Sequence, residues 1–428
     1  MSRGRPVYIV DGARTPFLKA EGRPGPFTPV DLAVQAGRAL LVRQPFAPDA
    51  FDDVILGCVN AHPDEVNPGR VAALRLGCGD MTPGWTVQRN CASGMQSIDT
   101  GYRYIEAGLA DLVLAGGAEA LSHAPLLYSN RAVNWYADMF AARSLSAKLK
   151  VLARWRPSML TPSIGLVRGL TDPVVKLNMG QTAEVLAHRF DVSREEADIY
   201  AVESHHRLAR AHKEGWLAEK EPMIGRDGTV HDTDTGMRPE NSVQAVARLK
   251  PAFERPDGKV TAGNSSQITD GASWVILASE DAVARHGLAP MARIVDSHWA
   301  ACDPTVMGLG PVLAVTPILG RHGLTRADIG AWEINEAFAA QVLACLRAWD
   351  DPDFCRDILG LDAPFGEIDQ DILNVDGGAI SLGHPVGTSG NRIVIHLVHV
   401  MKRLNTKLGV ATECIGGGQG GAMLLEAV

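Results

Sequence analysis

Along the first 120 positions, apolar residues cluster in short bursts, and helical spacing fills the stretches between them. Val7 to Val10 read as a strand, with DGARTPF as the turn after it. Asp31 to Val42 carry apolar residues at helical period, with Asp31 near the cap. DVILGCV, Asp53 to Val59, reads as a second strand. Trp85 and Val87 then lead into NCASGMQSI, and Met95, Ile98, Tyr102 and Ile105 recur at helical spacing beyond it. That pattern places Cys91 where a strand turns into a helix. Leu112 to Ala115, in LADLVLAGGAEA, form an unbroken apolar run ending in paired glycines, the mark of a buried parallel strand. Strands alternating with helices predict an α/β sheet with helices on both faces.

From about Leu121 the rhythm breaks. Residues up to about Ser266 hold several prolines, aromatics, basic residues and long helical patterns such as Arg194 to Trp216, and they read as an inserted domain. TAGNSSQITDGASWVILAS returns to the sheet pattern, and a second round begins. ARIVDS, Ala292 to Ser297, echoes VYIVDG. Pro311 to His322 and Arg326 to Ile329 read as helix and connector, and AWEINEAF as a strand end. Gly387 to Arg403 read as a long helix, and Leu408 to Thr412 lead into CIGGG. LVLAGGAE is echoed in GVATECIGGG, which predicts an internal duplication of two α/β halves. The expected division is residues 1–122 with 267–289 for the first half, 123–266 for the insertion, and 290–428 for the second half.

Composition narrows the class. The 428 residues suffice for two to three domains with real cores, and 46% hydrophobic against 21% charged content is that of a soluble globular enzyme. A net charge of −8 argues against a general nucleic-acid binder. The seven cysteines are an odd number, scattered and without CxxC spacing. They make a poor disulfide framework and a poor zinc site, so no metal is expected, and they fit a reducing cytosol. MSRGRPVYIVDGARTPF carries no apolar leader or transit pattern, and no run of about 18 apolar residues occurs, so a cytoplasmic location is expected.

Four residues stand in small-residue settings: Cys91 in NCASGMQSI, Asn335 in NEAFAAQ, His384 in GGAISLGHPVGTSGNRI and Cys414 in CIGGGQGGA. Two thiols, an imidazole and an amide are the parts for carbon–sulfur chemistry. A helix N-terminus at Cys91 would stabilise a thiolate, and His384, held by Gly383 and Pro385, would take its proton. Asn335 reads as a fixed amide facing a developing charge. Cys414 reads as an acid–base whose thiol comes within reach of neutral pH. Each also has a plain structural reading: buried cysteine, satisfied polar histidine, turn asparagine. The glycine runs do not fit the dinucleotide fingerprint; they suit backbone N–H groups that approach an oxyanion.

These four motifs in this order resemble the thiolase family, and the resemblance spans the chain from VDGARTPF to GAMLLEAV. It implies a duplicated five-layered α-β-α-β-α fold with an inserted loop domain. It implies acyl transfer: CoA-dependent thiolytic cleavage of 3-ketoacyl-CoA in fatty-acid degradation. Cys91 would carry the acyl group as a thioester, His384 would activate it, and Cys414 would exchange protons with the acetyl-CoA methyl carbon. Asn335, through a water, and His384 would form one oxyanion hole, and the N–H groups of Cys91 and Gly416 the other. Phe253 and Ser266 match positions that contact the pantetheine arm, Met307 and Phe338 line the pocket, and Met179 joins this substrate-binding set. Coenzyme A would be a substrate, with no cofactor bound permanently. The implied partners are CoA thioesters and further copies of the chain, as homodimer or homotetramer, with no nucleic acid.

Two departures bear on substrate and partner. Short-chain biosynthetic thiolases carry a His before MGxTAE, where this chain has Asn178. The connection from Leu126 to Lys176 is longer and more basic than in short thiolases, and resembles that of thiolase subunits of fatty-acid-oxidation complexes. An acetoacetyl-CoA thiolase working toward condensation is the alternative, and a β-ketoacyl synthase or a decayed scaffold fits the intact four-residue set poorly. In RSLSAKLKVLARWR, Arg143 to Arg156, a helix would put Leu145, Leu149 and Leu152 on one face, with Arg143, Lys150 and Arg154 opposite. That face either packs inside the insertion or docks a hydratase–dehydrogenase partner or an anionic membrane.

Overall fold

In the computed structural model, which describes residues 4–428, the first apolar burst becomes β1 (Val7–Arg14). The strand outruns its predicted end. Asp11 to Arg14, read above as a turn, pair with Ile276 to Ser273, because Ala13 and Arg14 are buried in the sheet. A short β2 (Leu18–Lys19) follows, then α1 (Pro29–Val42). Thr28 caps α1, and Asp31 closes the capping box from within the first turn. β3 (Asp53–Gly57), α2 (Pro68–Arg75), β4 (Gly84–Val87), α3 (Ser93–Glu106) and β5 (Leu112–Ala120) complete the first round.

The chain then leaves the sheet. Two short antiparallel ladders pair β6 (Leu126–Leu127) with β7 (Ser163–Ile164) and β8 (Met223–Ile224) with β9 (Val230–His231). Around them lie α4 (Asn130–Ala141), α5 (Leu145–Leu152), α6 (Gly165–Gly169), α7 (Met179–Arg189), α8 (Arg194–Lys213) and α9 (Val243–Val246). The helix expected over Arg143 to Arg156 is therefore shorter. Ser144 caps it, its side chain accepting from Ala147 N–H, and it ends at Leu152. Arg14 ties this excursion to the sheet: its buried guanidinium donates to Asp234 at 2.8 and 3.1 Å and to Glu219 at 3.3 Å.

β10 (Thr269–Ser279) re-enters between β1 and β5. α10 (Glu280–His286), β11 (Ala292–Ala301), α11 (Gly310–His322), β12 (Ala331–Ile334), α12 (Ala339–Asp350), α13 (Pro352–Asp357), α14 (Ala379–Leu382), α15 (Val386–Leu404), β13 (Leu408–Ile415) and β14 (Gln419–Ala427) follow. The strand order β12-β13-β14-β11-β1-β10-β5-β3-β4 makes the duplication visible. Reading outward from the β1–β11 seam, each half has one antiparallel neighbour, then a third strand, then a parallel fourth. The two echoing segments even share an irregularity, a register shift at Ile9/Asp11 in β1 and at Ile294/Asp296 in β11. β5 is parallel to β3, as its apolar run predicted, but antiparallel to β10, so the sheet is mixed.

Three apolar cores give the layers. One packs α1 and α2 on the first half, one packs α11 and α12 on the second, and the third surrounds α3 and α15 between the halves. The order is helices, sheet, helices, sheet, helices, the expected α-β-α-β-α arrangement. α3 and α15 touch backbone to backbone. A Cβ at Gly94 would lie 2.8 Å from the Asn391 nitrogen and 3.0 Å from the Gly387 oxygen. That closeness requires glycine there, and it brings the start of α3 beside the start of α15.

Candidate active site

Cys91 occupies the turn between β4 and α3. Asn90 before it adopts φ 45°, which few side chains tolerate. The turn holds because Ser93 Oγ accepts from Arg89 N–H at 2.9 Å and donates to the Asn90 carbonyl at 2.7 Å. Asn90 Nδ2 donates to the Gly416 carbonyl at 2.8 Å, which stitches the turn to the glycine loop after β13. Cys91 opens on a cleft of about 480 Å³ whose wall includes Asn90, Met179, Gly416 and Gln419. Backbone groups of Gly416 and of Cys91 itself favour the ionised sulfur.

The thiol does not titrate as the helix start suggested. Burial pushes it up to about 11; the two N–H groups oppose this, and the Glu413 and Glu119 carboxylates add to it. The partial charge of a helix end is worth less than the lost hydration of a thiolate. Cys414, at the end of β13, is also corrected: burial, then the neighbouring Cys91, hold its thiol well above the usual range. Both thiols are therefore neutral at rest.

His384 lies just before α15, after Gly383 at φ 109°. Its N–H donates to the Gln267 carbonyl at 2.9 Å. Ser389 donates to the Pro385 carbonyl at 3.4 Å, which leaves its oxygen, 2.6 Å from His384 Nδ1, to accept. Nε2 is then a bare acceptor, buried and without a protein partner. Burial, with the Arg392 charge, lowers the imidazole to about 4, so it too is neutral.

Asn335 follows β12, and its N–H donates to the Thr412 carbonyl at 2.9 Å. Both atoms of its side-chain amide are buried with no protein partner. Buried amides are rarely left so, and such a group marks a place where a water or ligand is received. The loop is rigid because Glu336 accepts from Ser204 at 2.7 Å, Tyr200 at 3.1 Å and the Ile380 N–H at 3.2 Å. Glu119 fastens the other side, accepting from Val59, Asn60 and Gly387 N–H groups at 3.0, 2.9 and 3.0 Å.

Of the residues expected to bind substrate, Met179 lines the Cys91 cleft. Met307 and Phe338 pack in an apolar cluster with Cys414, and Met179 and Phe253 lie at its edge. The Phe253 and Phe338 rings meet edge to face at 6.2 Å. Ser266 is half-buried and bonds through its N–H to the Ala337 carbonyl at 3.0 Å. Met307, Phe338 and Phe253 thus cluster with Cys414, Ser266 joins them through Ala337, and none of these four walls the cleft. Asn178, read above as a substrate marker, caps α7: its side chain accepts from Gln181 N–H at 2.9 Å.

Several supporting residues escaped the sequence reading. Ser389 sits five residues past His384, in the first turn of α15, a spacing that matches no motif. Glu336 stands inside NEAFAAQ, but its role as a clamp was not read from it; Glu119 carries no motif of its own, and neither do Leu166, Leu170 and Val174, which wall the cleft from the insertion. Glu184, His188 and Glu254 come within metal-ligand distance of one another. Glu184 already accepts from the Lys259 and Val260 N–H groups at 2.8 and 2.9 Å, which makes it a structural clamp.

The described residues thus include two neutral thiols, and an imidazole nitrogen and a side-chain amide that are both buried without a protein partner. The family model described as thiolase, N-terminal domain, matches residues 7–281, and that of the thiolase C-terminal domain matches residues 288–427. The chain is 38% identical to the human mitochondrial 3-ketoacyl-CoA thiolase over 99% of its own length and 98% of the relative's. It is 37% identical to the bovine mitochondrial trifunctional enzyme subunit beta, over 99% and 88%. Among solved structures, human mitochondrial 3-ketoacyl-CoA thiolase in complex with CoA superposes with a TM-score of 0.85 at 37% identity, over 99% and 98% of the two chains. An acetyl-CoA acetyltransferase of Bacillus anthracis does so with 0.84 at 34%, over 100% of both.

Proposed function

The chain belongs to the thiolase family, and from that premise we infer an acetyl-CoA C-acyltransferase that cleaves 3-ketoacyl-CoA with a second CoA in fatty-acid β-oxidation. The observation that carries the assignment of roles is the pair of buried, unpartnered polar groups, His384 Nε2 and the Asn335 amide, in a chain whose two candidate thiols, Cys91 and Cys414, lie close enough for one to act on the other.

The steps balance as follows. Cys91 gives its proton to His384 Nε2, and its sulfur attacks the ketone carbon. The new oxyanion meets one donor set, the N–H groups of Cys91 and Gly416 supporting that role. The bond between C2 and C3 breaks, and the electron pair leaves as the thioester enolate of acetyl-CoA. The Cys414 thiol protonates that carbon, and acetyl-CoA departs. Asn335 and His384 support the enolate oxygen. The incoming CoA thiol gives its proton to the Cys414 thiolate and attacks the acyl-Cys91 thioester. Sulfur leaves, regains its proton from His384, and the shortened acyl-CoA is released. CoA is a substrate throughout, and no step calls for a resident cofactor. A sulfur-to-sulfur exchange keeps each acyl transfer near thermoneutral, which an acyl-serine would not.

Acid-quenched mass spectrometry after incubation with acetyl-CoA tests the roles: acetyl on Cys91 is expected, and label on Cys414 alone with Cys91 free overturns them. A chain-length series of 3-ketoacyl-CoAs, run in both directions, separates this reading from a condensing acetoacetyl-CoA thiolase, which the Bacillus likeness supports as the second reading. We place the enzyme in a reducing compartment, the cytoplasm in our reading, on its seven free cysteines; the relatives named above are mitochondrial. A homodimer or homotetramer is our reading of assembly, supported by β4, which ends the sheet as an edge strand. The likeness to a trifunctional enzyme subunit supports a hydratase–dehydrogenase partner.

A further inference from the structure

One buried acid of the second half takes no part in the steps above. Glu413 precedes Cys414 on β13, so its side chain leaves the strand on the opposite face, into the layer of α3 and α15. It has no exposed surface. A Cβ added to Gly390 of α15 would come within 2.1 Å of its Oε1, and the same Cβ would be 2.7 Å from the Met95 nitrogen of α3. Glu413 thus sits at the crossing that sets the start of α3 beside the start of α15. Neither of its carboxyl oxygens has a protein partner among the described residues.

Arg392 is the charge that acts on it. This guanidinium, eight residues past His384 on α15, is 1% exposed and donates from Nη1 to Glu333 on β12 at 3.1 Å. Its Nε–H is buried and unpartnered, as the Glu413 carboxyl is. One guanidinium balances one carboxylate, and Glu333 has the hydrogen bond. An ionised Glu413 with no donor would be costly in this layer. Burial, opposed by the Arg392 charge, accordingly raises Glu413 well above the usual carboxyl range. A neutral acid has an O–H to give and a carbonyl to receive. That carbonyl suits Arg392 Nε–H, directly or across one water. With Glu413 neutral, the Arg392 charge is not cancelled from that side, and it adds to burial in holding His384 as a free base. The other titratable groups here are the Cys91 and Cys414 thiols, whose ionisation the Glu413 charge opposes once formed, Glu119 beside Cys91, and His396, 3.9 Å from Glu333. Ser389 is the hydrogen-bonded neighbour of His384.

We propose that Glu413 is a positioning residue for the reaction assigned above: as a neutral carboxylic acid it fixes Arg392 through Nε, so that the guanidinium charge faces His384. The proposal rests on His384 as the base of that reaction.

The test is the protonation of His384 in full-length protein carrying isotope-labelled histidine, followed by NMR and assigned by the signal lost in His384→Asn. Glu413→Gln keeps a donor and an acceptor in place, and should leave the His384 midpoint as in wild type. Glu413→Leu leaves Arg392 Nε–H without an acceptor, and should raise the midpoint by about one pH unit. Glu413→Met repeats the apolar change if the leucine variant does not fold. The acid limb of acetyl transfer to Cys91 should follow, kept in Glu413→Gln and about one pH unit higher in the apolar variants. The infrared difference between wild type and Glu413→Gln at about pH 7 should show a protonated-carboxyl band. An unmoved midpoint in the apolar variants, a lowered midpoint in Glu413→Gln, which would mean a carboxylate that had been cancelling Arg392, or no such band would each overturn the proposal. The imidazole titration needs no turnover. A midpoint that moves as expected while acetyl transfer keeps its profile would support the link from Glu413 to His384 and count against His384 as the base, so the two failures are distinct.

Discussion

Cys91 should be a slow nucleophile until substrate fills the cleft. Burial raises its thiol to about 11, and burial with the Arg392 charge lowers His384 to about 4. Moving the proton from sulfur to imidazole in the empty site thus crosses some seven pH units. At 1.36 kcal/mol per unit that is roughly 10 kcal/mol. The ion pair is then absent at rest, and it forms only as the oxyanion forms and is met by the N–H groups of Cys91 and Gly416. At pH 8 the thiolate is about one part in a thousand. Iodoacetamide, being uncharged, reads that fraction. Its rate at Cys91, followed by activity loss and by mass spectrometry of the peptide, should rise about tenfold per pH unit from pH 6 with no plateau below about pH 10. Cys414, held higher still by burial and by Cys91, should stay unlabelled over the same range. A flat rate between about pH 5 and 8 would refute the reasoning, because it would mean a standing thiolate–imidazolium pair in which the N–H donors outweigh burial.

Cys414→Ala should lower ketoacyl cleavage by about a hundredfold or more, with acetyl transfer from acetyl-CoA to Cys91 much less affected; equal losses in the two half-reactions would make Cys414 a structural residue. Ser389→Ala removes the group that keeps the proton on His384 Nδ1, so kcat should fall about tenfold with KM little changed, and Ser389→Thr should recover most of it; a shift in KM alone would contradict a positioning role. His396 is buried against Glu219 at 3.0 Å and Asp376 at 3.4 Å. Burial works to lower it, but Glu219 and Asp376 raise it to about 10, above its unfolded value near 6.5. Its stabilisation is therefore full below about pH 6.5 and lost as pH rises toward 10. His396→Gln should cost about 3 kcal/mol at pH 6 and much less at pH 10 by denaturant unfolding, and equal costs at both would count against the ion-pair account.

Much of the fold was legible because its signals are local. A strand such as Leu112–Ala120, buried along its whole length, must be apolar at nearly every position. A helix such as Val386–Leu404 must repeat its small and apolar residues at helical period. The duplication was legible for the same reason: VYIVDG and ARIVDS fill equivalent strands with the same register shift. The four chemical residues could be picked out because each needs glycine or other small neighbours for backbone to come close, and that need is written beside it in the chain. Local signals misled where a distant partner decides the outcome. DGARTPF looked like a turn, yet Asp11 to Arg14 are held as strand by pairing with residues some 260 positions away.

The sequence by itself therefore determined most element types, the repeat and the candidates for the chemistry, all of which depend on residues a few positions apart. Only the tertiary structure decided their state. Cys91 sits at the start of a helix as read, but its thiol is raised because the surrounding protein removes its water and the charges of Glu413 and Glu119, distant in sequence, oppose a thiolate. Leu145, Leu149 and Leu152 share a face as read, but which way that face turns was settled by Trp135 holding the opposite side of α5. Periodicity is a property of the backbone and survives in any surroundings. Hydration and exposure are properties of the packed assembly, and no window of the chain contains them.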